Sequence, residues 1–158
     1  EGVDELEQAA TALIKLGQLN FAAQVLDRMI HRLRRHGGPS NLQRLLDTQL
    51  RLLNSTPGSL ENVIAEMRHY EAGVLISEIL QNHRAESLFW LGLADRSHAE
   101  GIGLEFGLER LERAAEAAVR ANDRVLSLRI ANRRAEALMK AGEIEAAGQH
   151  SRQAMQIM

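Results

Sequence analysis

Six histidines are the residues of this chain best suited to hold a metal or move a proton, and their spacing decides whether they can act together. His31 and His36 stand five apart, which turns them to different faces of a helix. No His-Glu-x-x-His pairing places two imidazoles one turn apart beside a carboxylate. The histidines therefore read as surface and helix-end residues, and neither a metal nor a cofactor is expected. The absence of cysteine removes thiolate nucleophiles, disulfides and Cys-ligated zinc together. Glu100-Gly101-Ile102-Gly103 carries two glycines of a phosphate-cradling loop, but no strand leads into it and the third glycine is missing, so it reads as a turn between helices. Glu109 and Glu112 lie one turn apart on a polar helix face, where solvation and pairing with Arg110 or Arg113 account for them without acid–base work. Ser, His and Asp occur in no arrangement that marks a triad. The expectation is a protein that is not an enzyme.

Two charged sets have the chemistry of binding. His31-Arg32-Leu33-Arg34-Arg35-His36 is a basic cluster, but cations in the last turn of a helix also complement its negative end, and no interleaved aromatic platform accompanies them. With a net charge of −2, the chain as a whole exerts no pull on nucleic acid or anionic membranes, and nucleic acid is not the expected partner. The second set is Arg129, Asn132, Arg133, Glu136 and Lys140, which helical spacing brings near one face. The planar fork of arginine holds carboxylates bidentately, so an acidic helix or extended segment suits this face; an ordinary solvated polar face accounts for it equally. Trp90 follows Phe89, and the two point to different sides of their helix. Core packing of both is the default, and one reaching the surface beside arginine would be an aromatic anchor for a partner.

The elements that would carry these residues are helical throughout. Aromatic residues make up only 3% of the chain, which starves the cross-strand pairs that sheets favour, while an Ala- and Leu-rich core suits closely packed helices. Apolar residues recur at three and four positions between sparse Gly and Pro breaks, and no stretch alternates with period two. A stripe from Leu19 to Leu33 ends at His36-Gly37-Gly38-Pro39. A second helix opens with Ser40 as its N-cap and breaks at Thr56-Pro57-Gly58. A third, beginning near Ser59, carries Leu60, Val63, Ile64, Met67, Val74, Leu75, Ile79 and Leu80, with Gly73 a point of kinking. Ala85 to Ala99, Leu104 to Ala121, Asp123 to Ala141 and Glu143 onward complete a reading of eight helices. The apolar runs fall far short of the roughly 20 residues that span a bilayer, so no membrane segment is expected.

The breaks recur. Gly17, Pro57, Gly101 and Gly142 are separated by 40, 44 and 41 residues, and Gly37 precedes Asn122 by 85, close to two such periods. In the last unit, Ala131, Ala135, Leu138, Gly142, Ala147 and Ala154 fall at a spacing that resembles the tetratricopeptide repeat family. Ala10, Leu13, Gly17, Ala22 and Leu26 repeat the frame near the start, with Met29 where that family has a later Ala. Leu91-Gly92 after Trp90 is similar to the family's first-helix motif. The second unit departs most from the pattern. A repeat near 41 residues is longer than the family's usual length of about 34 and resembles its long-helix variants in bacterial signalling and regulatory proteins.

The resemblance implies an all-α, right-handed stack of about four antiparallel helix hairpins, with units near 3–37, 40–81, 83–121 and 123–158. It implies that Ala135 and Ala147 let their two helices approach closely, and that the first helices line a concave groove. Arg129 and Arg133 then fall at positions similar to the basic pair of the family's carboxylate clamp. Glu7 and Thr11 stand where Lys and Asn would complete that clamp, so the tail of a chaperone is not the expected ligand. The functional expectation is a protein-interaction module or scaffold within a larger signalling or regulatory protein, in the cytoplasm, binding a protein or peptide partner. The opening at Glu1 without a leader agrees with a fragment of a longer chain. A small chaperone for secreted proteins and a self-associating homodimer module are the alternatives.

Overall fold

The structure is a computed structural model that describes residues 2–36, 38–55, 63–99 and 104–157. Among these residues the chain forms eight helices and no strand: α1 (Val3–Lys15), α2 (Leu19–His36), α3 (Pro39–Ser55), α4 (Val63–Ile79), α5 (His83–Ala99), α6 (Leu104–Arg120), α7 (Arg124–Lys140) and α8 (Ile144–Ile157). No described helix is long and apolar enough to cross a membrane. The chain divides into two compact units, Glu1–Gln81 and Asn82–Met158.

In the first unit α1 packs on α2 and α3, and α3 also packs on α2 and α4. The apolar stripe of α2 is buried as its period dictates: Ala22, Ala23, Leu26, Met29 and Leu33 all lie inside, as do Leu6 and Ala10 of α1 and Leu45 and Leu46 of α3, the helices that pack on α2. Pro39 opens α3 in place of Ser40 as a cap. A proline at the first helical position loses nothing, because its missing N–H would have no partner inside the helix.

α4 departs further from the sequence reading. Leu75 and Ile79 of its apolar stripe are 61% and 67% exposed, while Glu66, His69, Tyr70, Val74, Ile76 and Ser77 are buried. Its apolar residues run around the whole circumference, so periodicity alone does not choose the inward face; packing against α3 and α2 does. Two hydroxyls on that inner face are matched locally: Tyr70 donates to Glu66 Oε1 at 2.7 Å and Ser77 Oγ donates to the Gly73 carbonyl at 2.6 Å.

In the second unit α5 packs on α6, α6 on α7 and α7 on α8. Leu91, Ala94, Leu111, Ala114, Ala118, Leu126 and Ile130 form its core, with Leu88, Trp90 and Leu108 packed against it. The alanines carry the architecture: with only a methyl at Ala94, Ala114 and Ala118, the α5 and α6 backbones approach closely enough for Ser87 Oγ to donate to the Ala114 carbonyl at 2.7 Å. Ala135 and Ala147 of α7 and α8 are buried as well.

Short turns close in one recurring way. At Gly17 (φ 74°) the N–H of Gln18 donates to Leu13 O, and at Gly142 (φ 82°) the N–H of Glu143 donates to Leu138 O, the Schellman closure that needs a left-handed residue. Asn122 (φ 53°) makes the same closure through Asp123 N and Ala118 O, and Gln81 (φ 55°) is left-handed at the end of α4. Asn122 and Gln81 stand 41 residues apart, close to the period of the breaks read from sequence. The breaks at Gly37, Pro57 and Gly101 lie outside the described residues, as do the side chains of Arg34, Arg35, His36 and Ala154.

Candidate functional site

α7 is positioned by its N-cap and by one buried face. Asp123 accepts the Leu126 N–H at 3.0 Å, and Leu126, Ile130, Ala131, Ala135, Ala137 and Leu138 face inward. The opposite face is therefore turned to solvent, and Arg129, Asn132, Arg133, Glu136 and Lys140 are all exposed along it. Two large apolar side chains flank this polar row: Val125, 79% exposed, near its start and Met139, 63% exposed, near its end. Singly exposed apolar side chains are ordinary on a protein surface, and here the two add contact area to a row otherwise suited to carboxylates.

The cations on this row are not equivalent. Arg133 reaches Asp95 of α5 at 3.4 Å and Glu136 at 3.8 Å, so its charge is partly engaged. Arg129 and Lys140 form no ion pair among the described residues. A second cross-link, Arg84 of α5 to Asp123 at 3.2 Å, lies toward the start of both helices. Residues 84 and 95 of α5 thus meet 123 and 133, so α5 and α7 run in the same direction side by side. Between α5 and α6 the order is reversed, with Glu86 on Arg120 at 2.7 Å and Trp90 beneath Arg113.

Trp90 is half-buried on the α5–α6 seam, with the Arg113 guanidinium 5.7 Å from its ring centre, while Phe89 is fully buried. Its cationic neighbour thus comes from α6, and none of the α7 arginines is placed over it. Glu109 and Glu112 are exposed, Arg110 lies over Phe106 at 5.7 Å, and Glu112 with Glu116 faces Arg134. Burial lowers the pKa of Arg134, and the two carboxylates oppose that shift.

The first unit has a comparable polar ladder. Arg44 of α3 is held by Asp4 and by Glu7 (2.5 Å) of α1, and Arg51 Nη1 donates to Thr11 Oγ1 at 3.2 Å. Hydrogen bonds to Asp4 and then Glu7 raise the pKa of Arg44. Residues 7 and 11 meet 44 and 51, so α1 and α3 also run in the same direction. In the basic cluster, His31 and Arg32 are exposed and Leu33 is buried. Among the described residues no three potential metal ligands gather.

One group escaped the sequence reading. His69, taken with the other histidines as a surface residue, is 2% exposed inside the first unit. Its neighbours Glu66, Tyr70, Gly73 and Ser77 share its face, and a buried row of mixed polar and small residues leaves no period to detect. No protein-family model and no curated protein matches the chain.

Proposed function

We propose that the chain is a protein-interaction module, a stack of tetratricopeptide-like antiparallel helix hairpins whose first helices offer their solvent-facing rows to a segment of a partner protein. The observation that carries this reading is the exposed row on α7, with Arg129 and Lys140 outside any ion pair among the described residues and Val125 and Met139 at its flanks. Its chemistry suits an acidic helix or extended strand bearing apolar residues: arginine forks the carboxylates and the two exposed apolar side chains take up hydrocarbon. Catalysis belongs elsewhere in such an assembly, and a signalling or regulatory protein is the setting that its long repeat suggests.

Support for the stacked hairpins comes from the offsets of the polar contacts. Glu7 meets Arg44 37 residues on, Thr11 meets Arg51 40 residues on, and Arg84 meets Asp123 39 residues on. A repeat of about 40 residues puts each first helix beside the next at this separation.

The test is affinity capture with the intact chain and with an Arg129→Glu, Lys140→Glu variant, which leaves the Arg133–Asp95 pair in place. The expected result is loss of at least one specific partner together with an unchanged helical spectrum. Identical recovery by both proteins would remove the α7 row from the function. Light scattering across a concentration series separates self-association, which predicts a mass that rises toward twice the monomer.

A further inference from the structure

The buried polar residues of the first unit take no part in the surface described above. His69 of α4 is 2% exposed, and neither ring nitrogen makes a hydrogen bond of ordinary geometry. Its Nε2 lies 3.4 Å from Asp27 Oδ1 of α2, and Gln49 of α3 donates to its backbone carbonyl over a long 3.5 Å. The buried Oε1 of Gln49 is also without a partner. A neutral imidazole can be accommodated in such a seam. An imidazolium would bring a full charge and a second N–H donor into a dry seam where the opposing groups are the solvent-screened Asp27 carboxylate and the neutral Ala23 backbone carbonyl.

We propose that His69 is a pH-responsive latch between α2 and α4: its protonation loosens α4 from α2 in the first unit.

The charged groups that bear on the ring, among the described residues, come from two helices. α2 supplies Asp27, α4 supplies Arg68 and, one turn earlier, Glu66; α3 presents the uncharged Gln49. Burial is the largest influence and lowers the histidine's pKa from its ordinary 6.5. Asp27 and the Ala23 backbone of α2 pull it up, and Arg68 pushes it down. The Asp27 side chain is 66% exposed, so water screens its attraction, whereas the ring itself is dry. With the folded pKa below 6.5, the opened form binds more protons at mildly acidic pH. The closed contact is thus at full strength above pH 6.5 and weakens as pH falls through and below it.

Histidine-selective NMR and amide hydrogen exchange on the intact chain test the latch. The His69 signal is expected to titrate below 6.5. Exchange protection along α4, corrected for intrinsic rates, is expected to fall by up to about tenfold from pH 7.5 to 5.5, the limit set by a free imidazole one unit below its pKa. In His69→Phe this pH dependence should disappear. In Asp27→Asn, a change at an exposed side chain, the titration should move lower. A His69 titration above 6.5 overturns the proposal, as does an equal loss of α4 protection in the wild type and His69→Phe. Should His69→Phe fail to fold, an upward shift in Asp27→Asn is the overturning result.

Discussion

Shortening Leu111 to alanine tests whether the second unit is held by a core that cannot collapse. Leu111 is 1% exposed and belongs to a cluster in which Ala94, Ala114 and Ala118 contribute only methyl groups fixed to helical backbones. The three lost carbons cost about 2.4 kcal/mol at ~0.8 kcal/mol each. The alanines have no flexible atoms to move into the space. If roughly 70 Å³ stays empty, the cavity adds about 1.7 kcal/mol at ~24 cal/mol per Å³. The total, about 4 kcal/mol, is a large part of the roughly 5–15 kcal/mol that holds a typical domain. In urea, with a slope of about 2 kcal/mol per molar, the midpoint should drop by about 2 M. Far-UV circular dichroism follows the helices, and the fluorescence of the chain's one tryptophan, Trp90, reports on the same cluster. Leu111→Met, nearly equal in volume, should cost less than about 1.5 kcal/mol. A fall of about 1.2 M or less in Leu111→Ala, the transfer cost with no cavity left, would refute the rigid-alanine argument if the spectrum stays native.

Glycine substitutions in α7–α8 should differ in sign. Gly142→Ala forces a Cβ onto a residue at φ 82° and should destabilise by about 1–2 kcal/mol. Gly148→Ala, inside α8 with only Arg152 Nη1 at 3.7 Å from the new methyl, should stabilise by about 0.5–1 kcal/mol; thermal melts of the two variants check both. Tyr70→Phe removes the 2.7 Å hydrogen bond to the buried Glu66 carboxylate and should cost about 1.5–3 kcal/mol in urea denaturation, a cost that an exposed tyrosine would not show.

The helices and most of their ends were legible because each is stated locally. Gly17, Gly142 and Asn122 are residue types that tolerate the left-handed conformation, and the structure puts all three there. Gln81 does the same work without such a signal, since a glutamine at φ 55° is held by its surroundings and not by its own preference. The exposed row of α7 follows from helical spacing alone. Its sharing of charge does not, because Asp95 is 38 positions from Arg133 and nothing local to either residue announces the other. The inward face of α4 was illegible for a different reason: Leu75 and Ile79 compete with Tyr70 and Val74 for burial, and neighbouring helices decide between them.

Those long-range polar contacts also explain why the proposed binding chemistry concentrates on one helix. Arg44 and Arg51 of α3 occupy a row like that of α7, but Asp4 and Glu7 hold the first and Thr11 holds the second. A partner carboxylate would have to displace an existing one from Arg44, with little net gain in electrostatic energy. On α7, Asp95 and Glu136 engage Arg133 and Glu112 and Glu116 face Arg134, whereas Arg129 and Lys140 form no ion pair among the described residues, so an incoming acid at either of these two displaces water alone. Charge reversal at Arg44 should consequently weaken the α1–α3 contact and leave capture by α7 intact, whereas reversal at Arg129 should do the opposite. The two effects separate because the same residue type, on equivalent-looking faces, has already spent its charge in one place and not in the other.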